Sequence, residues 1–401
     1  MNIALNSLTN LGLMILAGVL MGRLMKQLSL PNVTGYLIAG ILLGPYLLPL
    51  LGSPFRILSE GFVSGISVIT EVALGLIAFS AGGQLSLADL KRVGAAPVVI
   101  TLLEAACADL FVSLGLLLAG ADPKVAVLLG AIASATAPAA TILVVRQYHA
   151  DGPVTRLLLS VVALDDVAAL ILFSVTSAAV KGFGSHRRNP LLMVIAPVGQ
   201  ILAAILIGLA AGITLLFLLR FFHRRSNRIA LICSVLFLVI GICSLLGNSP
   251  LIACMTLGAA VINLSSEADR ILESVDPVSA PVFILFFVAS GAGLQFSLLK
   301  TEGLFGVLYI LLRFAGKICG TLLGARSCHV RKKTGRYLGP CLLPQAGIAI
   351  GLTQAAGSLV PEFASRIRAV VLAGTLICEL IGPAVTRFSL KCAGEIRKKA
   401  S

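Results

Sequence analysis

The chain has 401 residues, 58% hydrophobic and only 12% charged, with a mean hydropathy of +1.03; soluble domains carry about a quarter charged residues, so this composition excludes one and points to a membrane protein. In such a chain a net charge of +14 reports which loops stay inside the cell and gives no reason to expect a nucleic-acid partner. The nine cysteines, odd in number and without a C-x-x-C pair, suggest neither a disulfide framework nor a zinc site and read as buried thiols packing as small hydrophobes.

In chain order, apolar runs of the length a bilayer requires, about 18–25 residues, fall at 8–26, 33–51, 62–81, 94–119, 124–146, 154–180, 191–220, 228–246, 250–264, 278–296, 303–325, 335–358 and 367–390. The fold class this predicts is an all-α polytopic membrane protein of about 13 transmembrane helices. Residues 1–8 carry no charge, so the first run reads as a retained helix rather than a cleaved signal peptide. Trp is absent, which leaves Tyr36, Tyr46 and Tyr309 as candidate anchors at the membrane interfaces. The connections are short, so residues 1–401 read as a single membrane domain without a soluble regulatory domain. Most Lys and Arg fall after odd-numbered runs, including the clusters His223-Arg224-Arg225, Arg331-Lys332-Lys333 and Arg397-Lys398-Lys399. That bias predicts an outside N-terminus and a cytoplasmic C-terminus; anionic lipid is the other partner such clusters can take.

Polar residues inside these runs carry the chemistry. Glu71 in the third run and Glu379 in the thirteenth read as structural hydrogen-bonding groups near run ends, with Glu71 kept as a further site candidate. Glu104 and Asp109 share the fourth run. The fifth is interrupted at Ser134-Ala135-Thr136-Ala137-Pro138, where proline removes a backbone donor and frees carbonyls, and where the Ser and Thr hydroxyls add oxygens. The sixth contains Asp165 and Asp166, the most informative pair in the chain. A carboxylate at mid-bilayer depth costs at least about 2.5–3.5 kcal/mol, so two in succession imply a task, usually binding a cation or a proton.

The eleventh run holds Arg313 and Lys317, at i and i+4 on one helix face. Lys317 needs an acidic partner, for which Asp165, Asp166, Glu104 and Asp109 compete, whereas Arg313 either pairs likewise or snorkels to an interface. The twelfth run is interrupted at Pro340 and Pro344, ahead of Gln345-Ala346-Gly347. Two broken runs seven apart have opposite orientations in the membrane, the pattern of an inverted-repeat transporter whose discontinuous helices meet near the midplane.

The stretch Leu30-Pro31-Asn32-Val33-Thr34-Gly35-Tyr36, continuing to Gly44-Pro45, together with Ala163-Leu164-Asp165-Asp166-Val167, Gly316-Lys317-Ile318-Cys319-Gly320 and Leu343-Pro344-Gln345-Ala346-Gly347, resembles the monovalent cation:proton antiporter-2 family of the sodium/hydrogen exchanger superfamily. The resemblance implies a dimerisation domain and a core domain with two crossed broken helices. It makes Asp166 the ion-binding acid and Asp165 the neighbour that is Asp in electrogenic members and Asn in electroneutral ones. Lys317 becomes the lysine that pairs with that neighbour, and Thr136, with Ser134, lies at the first crossover. Gln345 departs from the pattern, standing where many relatives have arginine, and Ala137 stands where a related branch has an acid.

The function this implies is electrogenic exchange of sodium for protons, with Asp166 and Asp165 holding the metal ion, by a homodimer in a bacterial plasma membrane. Lithium or potassium are the alternative cargo, and no cofactor is implied. Burial favours the neutral form of a carboxyl and a nearby ammonium favours the charged one, so such a site can hold a proton or a cation, each excluding the other. Neighbours on a helix point about 100° apart, which predicts Asp166 facing the ion cavity and Asp165 turned towards Lys317. Loss of the Asp165–Lys317 pair and of the Lys317 proton on cation binding would then exchange two protons for one cation. An intramembrane aspartyl protease is the poorer rival, because its acids must face one another from different helices and its Gly-x-Gly-Asp motif is absent. A sodium-coupled organic-anion symporter with related crossed helices is the other.

Overall fold

The computed structural model describes residues 6–28, 30–50, 57–88, 94–182, 190–222 and 224–396. Residues 1–5, Leu51 at the end of the second apolar run, His223 and the Arg397-Lys398-Lys399 cluster lie outside the described residues. In chain order the principal helices are α1 (Ser7–Gln27), α2 (Asn32–Leu43), α3 (Ser67–Gly82), α4 (Ala95–Leu118), α5 (Pro123–Ala133), α6 (Pro138–Gln147), α7 (Pro153–Gly182) and α8 (Pro190–Leu219). They continue as α9 (Arg225–Leu246), α10 (Pro250–Leu264), α11 (Asp276–Ala292), α12 (Phe296–Ser327), α13 (Lys332–Leu338), α14 (Gly347–Leu359) and α15 (Ala364–Ala393). No strand occurs among the described residues.

Among those residues eight helices are long and apolar enough to cross a membrane, and α2, α5, α10, α11 and α14 are shorter apolar helices. The distribution of polarity is the reverse of a soluble protein's. Leu118 and Leu245 are 89% and 88% exposed, while Asp165, Arg313 and Lys317 are fully buried. Apolar side chains face outward because lipid solvates them as well as the core does, and charged groups are driven inward.

The chain divides into two compact units: Met1–Ile66, Ala95–Ala169 and Ile284–Ser401 form the first, and Ser67–Gly94 with Leu170–Phe283 form the second. In the second unit α10 packs main chain to main chain. A Cβ added to Gly258 would strike the backbone of Phe79 on α3, and one added to Gly208 on α8 would strike that of Ala253. Small residues permit such approach where no hydrophobic effect drives helices together. In the last turn of α10, Asn263 staples the segment after α3, its Nδ2 donating to the Leu85 carbonyl at 2.7 Å and its Oδ1 accepting from Leu87 N at 2.8 Å.

In the first unit α4 and α12 make a long contact through a stripe of glycines on α12. A Cβ at Gly316 or Gly324 would come within 2.7 Å of the Cα of Ala108 or Ile100, and one at Gly320 would strike the backbone at Glu104. The glycine spacing of four keeps every contact on one face, and the close approach at Gly320 brings Glu104 to the level of Lys317. The helix that carries the aspartates is anchored at its start by a residue from the far end of the chain. Glu395 accepts from Val154 N at 2.7 Å, Thr155 N at 2.8 Å and Thr155 Oγ1 at 2.8 Å. A carboxylate there satisfies free N–H groups of the first turn and opposes the positive end of the helix dipole.

Candidate ion-binding site

Both expected interruptions are present, and both lie in the first unit. Residues 134–137 separate α5 from α6, and residues 343–346 lie between a 3-10 turn (Gly339–Leu342) and α14. They meet: Ala137 N donates to the Pro344 carbonyl at 2.9 Å, and Thr136 Oγ1 donates to the Leu342 carbonyl at 3.4 Å. Broken helices leave carbonyls without donors, which is tolerated at membrane depth only where protein supplies partners.

The partners come from α12, where Tyr309, Arg313, Lys317 and Thr321 form a fully buried stripe at intervals of four residues. Arg313 binds carbonyls of both interruptions: Nε donates to Ala133 at 2.9 Å, Nη1 to Leu343 at 2.7 Å, and Nη2 to Ala135 at 2.8 Å and Pro344 at 3.5 Å. The expectation of an acid partner or of snorkelling is corrected here. A guanidinium has five directed N–H groups, enough to saturate several carbonyls at helix ends whose partial charge is negative. Tyr309, expected as an interface anchor, is also fully buried, and its hydroxyl accepts from Gln345 Nε2 at 2.8 Å. Gln345 Nε2 also reaches the Ile132 carbonyl at 3.1 Å, so Gln345 joins the same network of main-chain partners. Spacing held the signal for Tyr309: a polar residue one turn before Arg313 on the same face belongs with it.

One turn further on, Lys317 Nζ lies 3.0 Å from Asp165 Oδ2 and 2.9 Å from Glu104 Oε2, with all three side chains fully buried. It also donates to Thr136 Oγ1 at 2.8 Å and to the Ser134 carbonyl. The ammonium therefore does for Ser134 what Arg313 does for its neighbours, while also holding two carboxylates. The Ser134 hydroxyl is turned away, donating to Ala131 O at 2.6 Å. Of the competing acids, Glu104 and Asp165 share Lys317. Asp109 instead accepts from Ser113 Oγ at 3.0 Å.

Asp166 differs from its neighbour. It is 8% exposed, its Oδ1 has no hydrogen-bond partner, and it makes no ion pair with Lys317 among the contacts of the described residues. A buried carboxylate oxygen left without a donor is costly. Ser134, Thr136, Asp165, Asp166, Arg313, Lys317 and Gln345 are thus brought together. Glu71 is exposed on α3 in the second unit and is not among them. Glu379, expected near a run end, is buried in the middle of α15 beside Thr34 of α2.

Two interrupted helices held together by buried cations, with paired aspartates at the crossing, define the class of membrane-embedded ion exchangers. A family model described as "Sodium/hydrogen exchanger, transmembrane" matches residues 12–391, and the chain belongs to that family. It is 29% identical over 373 residues to the glutathione-regulated potassium-efflux system protein KefC of Enterobacter sp. (strain 638), covering 90% of this chain and 57% of the relative. The chain thus spans a little over half the length of the KefC proteins it matches. It is 22% identical over 425 residues to the high-affinity Na(+)/H(+) antiporter NhaS3 of Synechocystis sp., covering 93% of this chain and 91% of the relative. Its fold is that of the sodium proton antiporter MjNhaP1 from Methanocaldococcus jannaschii, with a TM-score of 0.78 and 20% identity over 97% of this chain and 99% of that one.

Proposed function

We propose that this protein exchanges a monovalent cation, sodium, for protons across the membrane, with Asp166 and Asp165 as the groups that hold one or the other. The observation that carries the reading is the orphaned, nearly buried Asp166 carboxylate one residue from an aspartate already paired with Lys317. Asp166 has room in its coordination for a cation or a proton. Asp165 can turn from Lys317 to the cation, and Thr136, with the freed main chain around Ser134, supplies neutral oxygens nearby. The exchange is electrogenic, two protons for one cation, and needs no cofactor. The chain works as a homodimer in the plasma membrane, crossing it thirteen times with the N-terminus outside and the C-terminus in the cytoplasm.

Potassium is the second reading of the cargo, favoured by the identity to the potassium-efflux protein KefC over 90% of this chain; lithium is a further candidate. The test uses proteoliposomes with an internal pH dye, an imposed proton gradient, and addition of sodium or potassium. A dye response to one cation that is lost in Asp166→Asn supports the site and names the ion. Exchange retained in Asp166→Asn removes the assignment, and a wild type unresponsive to any monovalent cation turns the reading to an organic-anion symporter.

A further inference from the structure

The end of α1 carries two cations with no acid to meet them. Arg23 and Lys26 are exposed there, and neither makes an ion pair among the described residues. The first acidic residue of the chain is Glu60, beyond the whole of α2. Topology accounts for basic residues at one end of a membrane helix, but not for the cavity that these two line. It has a volume of about 590 Å³ and is closed on the α2 side by Asn32 and Tyr36, with Val19 and Gly22 at its other end.

The walls of this cavity are fixed by packing. A Cβ added to Gly35 of α2 would strike the main chain of Met21, and one added to Gly22 would come 2.7 Å from Tyr36 Cε1. The Tyr36 ring also stacks on Phe287 of α11, with centroids 6.3 Å apart. With 21 residues α1 has the length that crosses the hydrocarbon of a bilayer, so its last turn lies at the interface. Val19 and Lys26 are seven residues apart, about 10 Å along the helix, and the headgroup layer is roughly 5–7 Å deep. The cavity therefore reaches from the acyl chains into the headgroups.

We infer that this cavity binds one anionic phospholipid, its phosphate between Arg23 and Lys26 and an acyl chain against Val19. The lining offers donors of the right sign: a guanidinium and an ammonium, which donate only, with the Asn32 amide and the Tyr36 hydroxyl beside them. It contains no carboxylate, so the ammonium of a zwitterionic headgroup would find no partner. The start of α2 adds to the same sign, since its first turn holds no acid and no side chain caps it. A soluble anion would satisfy the two cations but leave the apolar end of the cavity unfilled, whereas a phospholipid fills both ends.

The chain has no Trp, so Leu20→Trp, at a position 59% exposed and one turn before Arg23, gives a single reporter beside the cavity without altering its lining. The full chain carrying it is reconstituted in phosphatidylcholine vesicles with rising fractions of phosphatidylglycerol. Quenching of the Trp by brominated acyl chains on one lipid or the other gives their relative affinity at this place. Phosphatidylglycerol is expected to be preferred on the order of tenfold. Adding Arg23→Gln and Lys26→Gln together should bring the ratio close to one, while Lys332→Gln with Lys333→Gln, which removes the same charge elsewhere, should leave it unchanged. No preference in the parent, or an equal loss in both pairs, overturns the inference. A preference abolished by inorganic phosphate at constant ionic strength also overturns it, by making the cavity a site for a soluble anion. Native mass spectrometry of the chain without the reporter, released from detergent with both lipids present, should show one fewer retained phosphatidylglycerol in Arg23→Gln with Lys26→Gln, and an unchanged number overturns the site.

Discussion

Arg313 and Lys317 lie one turn apart on α12, both fully buried, and they hold partners of different kinds. The guanidinium donates to four main-chain carbonyls at the two interruptions, at 2.7 to 3.5 Å. The ammonium holds two carboxylates at 2.9 and 3.0 Å. Arg313 thus replaces backbone donors that the broken helices lack, and Lys317 balances the charge of two buried acids beside the proposed ion site. Loss of the first is expected to cost stability, and loss of the second to change coupling.

Arg313→Ala leaves the carbonyls of Ala133, Ala135 and Leu343 without the donors seen here. Each buried unsatisfied group costs about 1–3 kcal/mol, so the variant should melt well below wild type in detergent. Arg313→Lys should recover only part of the loss, since an ammonium lacks the planar fork. A wild-type melting temperature in Arg313→Ala would show that the crossing holds without this residue.

Asp165→Asn keeps Lys317 paired, because Glu104 remains 2.9 Å away. It removes one of the two adjacent acids proposed to hold the cation or the proton. The expected result is cation-driven proton flux without current, read by a pH dye alongside capacitive currents on a supported membrane. An undiminished current per proton would exclude Asp165 from the coupling.

In the proposed exchange protons and cations compete for Asp166, so acidification should raise the cation KM. With one competing proton the rise is about tenfold per pH unit in the protonated range, and with two it is steeper. Cation activation curves measured at several pH values give the slope directly. A KM independent of pH would mean that the two ligands do not share the site.

Glu395 caps α7 from beyond the end of α15, accepting three hydrogen bonds at 2.7–2.8 Å. Glu395→Ala should cost about 1 kcal/mol and at most about 2. Amide exchange at Val154 and Thr155 should then rise by roughly 5–30-fold, with little change in the middle of α7. Unaltered exchange at these two amides would show that other groups satisfy the helix start.

The sequence alone made much of this legible. Apolar runs require helices because a backbone in lipid must satisfy its own hydrogen bonds, and prolines at 138, 340 and 344 mark where those helices break. The cost of charge at depth singled out Asp165, Asp166, Arg313 and Lys317, and helical spacing placed Arg313 and Lys317 on one face. Which groups pair was settled only by the tertiary structure. The glycine contact of α12 with α4 puts Glu104 beside Lys317, and the meeting of the two interruptions offers Arg313 carbonyls in place of an acid. Tyr309 moved from expected anchor to buried partner of Gln345 for the same reason. Periodicity and composition act along one helix, whereas the partner of a buried charge is whatever neighbouring helices bring within about 3 Å, and that distance is set by packing.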